Sequence, residues 1–86
     1  LGELQAAIAF YQGNYAEAEK AYSDVLNLRH KDTPPQAIAN MLRNRSMARL
    51  GLGLYPESLP DLQEALNIYS EVGNSIYYAQ TLVMTS

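Results

Sequence analysis

The chain has 86 residues, of which 48% are hydrophobic, so it is long enough for one small domain and too apolar for a disordered segment. Its net charge of −3, from nine acidic and six basic residues, gives no basic field that would attract nucleic acid. Cysteine is absent and no apolar run reaches the ~20 residues of a membrane span, which excludes a disulfide framework, a thiolate metal site and a membrane-spanning helix within these 86 residues.

Two expectations concern the setting of the chain. A chain without cysteine fits an intracellular protein, so we expect a cytoplasmic location. The chain starts with Leu1 rather than Met, so we expect it to be a piece of a longer protein.

Helical signals fill the first thirty residues. We predict a first helix over about residues 3–12, a break at Gly13-Asn14 and a second helix over about residues 15–29. Apolar residues in the second helix recur at steps of three and four, which is typical of one buried helical face. These residues are Ala18, Tyr22, Val25 and Leu26.

A loop over residues 30–35 separates this pair from a long third helix that runs to about Leu52. Thr33 is expected to be the N-cap residue of that helix, with Pro34 at its first position. Gln36 would complete a T-x-x-Q capping box, in which side chains satisfy the free backbone N–H groups of the first turn.

Gly53 ends the third helix, and Pro56 is expected to begin a fourth. Pro60 lies in its first turns and lacks a backbone N–H, so we expect a kink or a delayed start there. The apolar residues of this helix again follow helical steps. They are Leu62, Ala65, Leu66 and Tyr69.

A fifth helix is predicted for the last part of the chain. Gly73 is suited to end the fourth helix, and Asn74 or Ser75 is suited to cap the fifth, which runs to residue 86. No strand pattern competes with these helices, so the predicted fold class is all-α.

An internal repeat relates residue i to residue i+40. Identical pairs lie in the turns at Gly13 and Gly53, in the second and fourth helices, and in the third and fifth helices. The pairs are Gly13 and Gly53, Tyr15 and Tyr55, Glu17 and Glu57, Leu26 and Leu66, Asn27 and Asn67, Ala39 and Ala79, Leu42 and Leu82, and Ser46 and Ser86.

The repeated stretch resembles the second half of a tetratricopeptide repeat, whose usual pattern is G-x-Y-x-x-A followed by an aromatic residue and a leucine. The first copy is Gly13-Asn14-Tyr15-Ala16-Glu17-Ala18 with Tyr22 following, and in the second copy Ser58 and Leu62 replace the small and aromatic residues. The period of 40 is longer than the ~34 residues typical of the family. Such longer repeats are similar to those of kinesin-light-chain-like arrays and of the sensor regions of some bacterial transcriptional regulators.

The resemblance implies a right-handed stack of antiparallel helix hairpins, with two repeats plus one further helix in a single domain. Repeat one would cover about residues 1–30, repeat two about 34–72, and the start of repeat three about 74–86. Packing positions of the repeat would place Tyr15, Tyr22 and Tyr55 in the core.

The first helix of each hairpin lines the concave face in this family, so the resemblance implies a protein- or peptide-binding scaffold that acts through that face. The expected partner-binding residues are Glu3, Ala7, Phe10, Asn40, Arg43, Asn44, Met47, Gln80, Val83 and Met84. Asn44 matches one asparagine of the carboxylate clamp found in co-chaperone members, but Glu3 and Ala7 stand where that clamp needs Lys and Asn. The alternative is a sensor or oligomerisation region of a larger regulatory protein.

Other signals favour binding over catalysis. His30 is the sole histidine, and a solvated helix-end histidine explains it better than a catalytic or metal site. Arg43, Arg45 and Arg49 form a basic strip, for which pairing with acidic neighbours such as Glu3, or simple exposure to solvent, is favoured over nucleic acid. We therefore expect no enzyme activity, no metal, no cofactor, and neither nucleic acid nor membrane as a partner.

The fifth helix is apolar over most of its circumference. Part of its surface is expected to lie open in this chain, so self-association through this helix is a further hypothesis. The residues that suggest it are Ile76, Tyr77, Tyr78, Leu82, Val83 and Met84.

Overall fold

The computed structural model describes residues 2–28 and 32–85, and these residues form five α-helices and no strand. The helices are α1 (Gly2–Tyr11), α2 (Tyr15–Asn27), α3 (Pro35–Gly51), α4 (Tyr55–Val72) and α5 (Ser75–Thr85). The predicted all-α class is therefore confirmed. The interpretation of His30 lies outside the described residues. None of the described helices combines the length and the apolarity that crossing a bilayer requires.

Each helix packs against the next helix along the chain, from α1 on α2 to α4 on α5. The faces predicted for α2 and α4 are the buried ones, except that Val25 and Leu66 are half-buried. Small residues let the helices approach closely, and larger ones fill the space between them. The small core residues are Ala6, Ala9, Ala18, Ala39, Ala48 and Ala65, and the large ones are Tyr22, Leu26, Met41, Leu42, Leu62 and Tyr69.

Glycine ends three of these helices in the same way. Gly13, Gly53 and Gly73 have φ values of 78°, 77° and 76°, a left-handed conformation that L side chains rarely adopt. At the first of these turns the N–H of Gly13 donates to the carbonyl of Phe10 at 3.0 Å. The residue after Gly13 donates its N–H to the carbonyl five residues before that residue. The same two bonds form at the turns of Gly53 and Gly73. This is the Schellman motif, which satisfies the last carbonyls of a helix.

The start of α3 differs from the sequence prediction. The helix begins at Pro35, and the N-cap position belongs to Pro34, so the predicted N-cap at Thr33 and first position at Pro34 are each wrong by one residue. Proline has no hydroxyl that could cap, and no side-chain capping bond forms there. Pro35 instead suits the first position because its missing N–H would have no partner within the helix anyway.

The start of α4 is not delayed. The helix begins at Tyr55, one residue before Pro56, and it continues through Pro60. The first turn is already closed ahead of Pro60, since the N–H of Ser58 donates to the carbonyl of Leu54 at 3.1 Å. Pro60 itself is exposed, so water can reach the carbonyl that its missing N–H leaves without a partner.

The cap of α5 follows the prediction. Asn74 Oδ1 accepts a hydrogen bond from the N–H of Tyr77 at 3.1 Å, which is the bond of an N-cap residue to the third helical position. Asn74 Nδ2 also donates to Gln36 Oε1 at 3.1 Å. One residue therefore starts α5 and ties it to the first turn of α3.

The tyrosines at the packing positions of the repeat differ in burial between the two repeats. Tyr22 is buried and Tyr15 is half-buried, but Tyr55 is 68% exposed, so its predicted place in the core is wrong. The ring of Tyr15 lies against Gly51 at the end of α3.

Candidate binding surface

Helices α1 and α3 enclose a small open cleft of about 90 Å³. The predicted site residues Ala7 and Phe10 from α1 and Asn44 and Met47 from α3 all line it. Two further lining residues, Tyr11 and Tyr22, were not predicted for the site. The walls are mainly apolar, with few polar groups at fixed positions, which is the usual character of a ligand site.

Tyr22 supplies the polar floor of this cleft. It comes from α2 and is 3% exposed, and the side chain of Asn44 lines the cleft beside it. Burial raises the pKa of Tyr22, with a smaller contribution from the negative charge of Glu3, while the Asn44 side chain acts in the opposite direction. Glu3 is therefore within electrostatic range of the cleft, although its own side chain is exposed.

A second cluster joins α3 to α5 around Arg43. The guanidinium carbon of Arg43 lies 4.9 Å from the centre of the Tyr77 ring, within cation–π range. Arg43 Nη1 donates to Gln80 Oε1 at 3.4 Å, a long bond. Arg43 Nε is buried and has no hydrogen-bond partner among the residues that the structure describes. A buried donor without a partner costs ~1–3 kcal/mol, so a group that moved within reach of it would be stabilised.

Tyr69 lies beneath this cluster. Its hydroxyl donates to Asn40 Oδ1 across the α3–α4 interface, and its ring meets the Tyr77 ring edge-on at 5.6 Å. Burial raises the pKa of Tyr69, and the positive charge of Arg43 opposes that change. Asn40 is thus held by the core and is half-buried.

The structure brings together most of the predicted site residues, in two groups. Ala7, Phe10, Asn44 and Met47 share the cleft, and Asn40, Arg43 and Gln80 lie around the second cluster. Val83 and Met84 lie in neither group, Val83 being 75% exposed and Met84 half-buried.

Sequence reasoning missed the tyrosines that complete both groups. Tyr22 and Tyr69 were assigned to a buried helix face, which is correct, but each is long enough for its hydroxyl to reach α3. The signal in the sequence is the helical spacing, which places each tyrosine on a buried face. The other buried residues of these faces are smaller, so the tyrosine side chains extend beyond them.

The three arginines of the basic strip on α3 have different surroundings. Arg43 belongs to the second cluster, whereas Arg45 and Arg49 form ion pairs. Arg45 binds Asp61 through two bonds of 2.9 and 2.6 Å and also donates to Ser23 at 3.1 Å. Arg49 reaches Asp61 at 3.1 Å and Glu19 at 3.0 Å. The hydrogen bond to Asp61 raises the pKa of Arg45. The predicted pairing with acidic residues is confirmed for these two, with Asp61 and Glu19 rather than Glu3 as partners.

Within residues 2–28 and 32–85, no group of three or more His, Cys, Asp or Glu side chains lies together as a metal site would require. What the surface offers chemically is an apolar cleft, amide groups and one guanidinium. Comparison with family models, with curated proteins and with solved structures finds no match to the chain.

Proposed function

We propose that this chain is a tetratricopeptide-like scaffold that binds a protein or peptide through the surface formed by α1, α3 and α5. The observation that carries the proposal is the apolar cleft between α1 and α3. Arg43 belongs to the same helix as Asn44 and Met47, which line this cleft. The proposal is one of binding without catalysis or cofactor, and the cytoplasmic location expected from the sequence is part of it.

The chemistry of this surface defines the ligand. The cleft takes a large apolar side chain, while the Asn44 amide can bond to a peptide backbone. The guanidinium of Arg43 presents a planar set of donors that suits a carboxylate. The ligand class is therefore a peptide segment with a large apolar residue close to an acidic side chain or a terminal carboxylate.

The repeat supports the proposed architecture. The turns at Gly13 and Gly53 lie 40 residues apart and share the same backbone conformation and hydrogen bonds. Helices α1 and α3 precede these turns and α2 and α4 follow them, so the sequence repeat coincides with a repeated helix hairpin. Equivalent hairpins in succession are the units from which a tetratricopeptide-like stack is built.

The test uses peptides selected from a random displayed library on the intact 86-residue chain, with affinities then measured by fluorescence anisotropy. Met47→Glu places a charge in the cleft and is expected to weaken binding at least tenfold, equivalent to about 1.4 kcal/mol. Arg43→Gln should weaken acidic peptides and leave neutral ones unchanged.

The matched control is the double variant Gln63→Ala/Glu71→Ala, which changes exposed residues of α4 and should bind as the parent does. Circular dichroism checks that every variant is folded. Selected peptides whose affinity is the same for Met47→Glu and the parent would show that the cleft is not the binding site.

A second candidate is a sensor or oligomerisation region of a larger regulatory protein. The exposed side of α5 favours it, because Ile76, Leu82 and Val83 are large apolar residues at the surface. Sedimentation equilibrium decides whether the chain self-associates: a mass that rises with concentration, and no longer does so in Leu82→Asp, would support this candidate, and a constant monomer mass would contradict it.

A further inference from the structure

The ion pairs of α3 lie on the side of this helix that faces away from the cleft. Asn44 and Met47 line the cleft, whereas Arg45 and Arg49 form ion pairs. With 3.6 residues per turn, the mean direction of the two arginines is about 150° around the helix from that of the two cleft residues. The cleft and the ion pairs therefore occupy nearly opposite sides of α3.

On this side, the two arginines connect α2 to α4. Arg49 donates to Glu19 Oε2 of α2, through Nε at 3.1 Å and Nη2 at 3.0 Å. Arg45 donates to Ser23 Oγ of α2 at 3.1 Å. Both arginines also pair with Asp61 of α4, at 2.6 and 3.1 Å. We call these five residues the clasp.

The clasp spans the junction between two helix hairpins. Helix α1 packs against α2, and α3 against α4, so each hairpin is a unit. Among the helices that the structure describes, the extensive contact between the two hairpins is that of α2 with α3, while α1 with α3 and α2 with α4 have no comparable interface. Rotation about the α2–α3 contact would therefore bring α1 closer to α3 as α2 moves away from α4.

The charges of the clasp are not part of the sequence repeat. Forty residues away, each charged member of the clasp has an uncharged counterpart. The pairs are Arg45 and Gln5, Arg49 and Ala9, Glu19 and Leu59, and Asp61 and Ala21. By contrast, the buried packing positions keep their character, as the small residues Ala18 and Ser58 do. The charges are thus an addition at this junction, beyond the packing that builds each hairpin.

What such charges contribute is geometry more than stability. The side chains of Arg49 and Glu19 are only 18% and 25% exposed, and well-packed apolar residues in place of a buried ion pair are often as stable. Apolar burial has no preferred direction, whereas hydrogen bonds to a guanidinium group have a fixed geometry. An ionic contact between hairpins therefore fixes their relative angle.

We propose that the clasp sets the width of the cleft between α1 and α3, with Glu19 and Ser23 as its positioning residues on α2. The clasp holds α2 beside α4 and thereby keeps α1 away from α3. Release of α2 lets the first hairpin rotate, so that α1 approaches α3 and the cleft narrows. The consequence for ligand affinity rests on the proposed function, but the consequence for cleft width does not.

The experiment measures distances between spin labels by double electron–electron resonance in the intact chain. The chain has no cysteine, so labels attach only at introduced ones. Lys20→Cys with Gln63→Cys reports the distance from α2 to α4, and both positions are exposed. Leu4→Cys with Ile76→Cys reports the distance on the cleft side, because α5 packs against α4 and follows the second hairpin.

Each labelled pair is compared with and without Glu19→Ala/Ser23→Ala. This double variant releases α2 and leaves both arginines paired with Asp61, so the chain should stay folded, which circular dichroism checks. The expected result is a longer mean distance from α2 to α4 and a shorter one across the cleft. If the double variant does not fold, Glu19→Ala alone makes the same comparison.

Glu17→Ala is the matched control. It removes the same charge from α2 at an exposed side chain whose hydrogen bond is with Asn14, outside the clasp. Both label distances should equal those of the parent. A change as large as that of the double variant would show that the charge of α2, and not the clasp, sets the distances.

The outcomes distinguish this proposal from the proposed function. An unchanged distance across the cleft would overturn the clasp, and so would a lengthening of both distances, which indicates general loosening. The peptides selected for the cleft should bind the double variant roughly tenfold more weakly. Distances that shift as expected while these affinities stay the same would uphold the clasp and contradict the cleft as the binding site.

Discussion

At the scale of single residues, Gly51 shows a close approach that the sequence does not reveal. A Cβ atom at this position would lie 2.6 Å from Cδ2 of the Tyr15 ring and 2.8 Å from its Cγ. Both atoms belong to the body of a half-buried ring, so the ring cannot easily move away. The sequence identifies Gly51 as part of a helix end, but the contact depends on how α2 and α3 pack.

We predict that Gly51→Ala destabilises the chain by about 1–2 kcal/mol, because overpacking outweighs the gain in helix propensity. Urea denaturation measures the change. On a Tyr15→Ala background the same substitution should be neutral or stabilising, since the ring is gone. An equal loss in both backgrounds would show that the contact with Tyr15 is not the cause.

Asp61 of α4 is the residue with which both ion-paired arginines of α3 pair. Its side chain is 4% exposed, and it faces Arg45 and Arg49, whose side chains are 17% and 18% exposed. Asp61→Asn keeps the shape but leaves two largely buried guanidinium groups without that negative charge. We predict a loss of about 3 kcal/mol, in the range found when one partner of a buried pair is removed.

Glu57→Gln is the matched control for Asp61→Asn. It removes the same charge from an exposed side chain of α4, and we expect a change within about 0.5 kcal/mol. Urea denaturation of both variants at neutral pH provides the comparison. Similar losses for the two would mean that overall charge, and not the buried pair, sets the effect.

At the scale of helices, the turn after α4 allows the cost of a left-handed backbone to be measured without a steric clash. Gly73 has φ 76°, and a Cβ atom there would meet nothing within 4 Å. Gly73→Ala is therefore expected to cost about 1 kcal/mol through the left-handed backbone alone. Gly73→Asn should cost about half as much, because asparagine tolerates this conformation better. Thermal and urea denaturation would contradict this account if Asn cost as much as Ala.

The sequence predicted the helices well and their first residues less well. Gly13, Gly53 and Gly73 end helices as predicted, because the left-handed turn strongly favours glycine. The starts of α3 and α4 differ from the predicted ones. For α3, two adjacent prolines allow alternative caps, and for α4, Pro60 is tolerated within the helix. Packing in the folded chain decides between starts that local preferences leave nearly equal.

At the scale of the whole molecule, the sequence identified the helices of the proposed binding surface but not the contacts between them. Helical spacing predicted that Arg43, Asn44 and Met47 belong to one helix, and the resemblance added residues from α1 and α5. The hydroxyls of Tyr22 and Tyr69 that reach Asn44 and Asn40 depend on the packing of α2 and α4 against α3. Asp61 is likewise sixteen residues from Arg45 in the chain, a separation at which spacing predicts no contact.

Those two buried tyrosines make the stability of the whole chain sensitive to alkaline pH. Burial holds the pKa of Tyr22 and of Tyr69 above the ordinary value of 10.0 in the folded state. The unfolded chain therefore releases these protons at a lower pH than the folded chain does. Their contribution to stability is complete below pH 10.0 and is lost as the pH rises through that value toward the folded pKa.

We predict that the free energy of unfolding falls between about pH 9.5 and 11, by at most about 1.4 kcal/mol per pH unit for each tyrosine. Urea denaturation across this range measures the slope. The double variant Tyr22→Phe/Tyr69→Phe has no proton to release at either site, so its slope should be markedly smaller. The control Tyr55→Phe changes a tyrosine that is 68% exposed and should keep the slope of the parent. If the double variant kept the full slope as well, the alkaline loss would arise from other groups, and the two hydroxyls would not be the link between pH and folding.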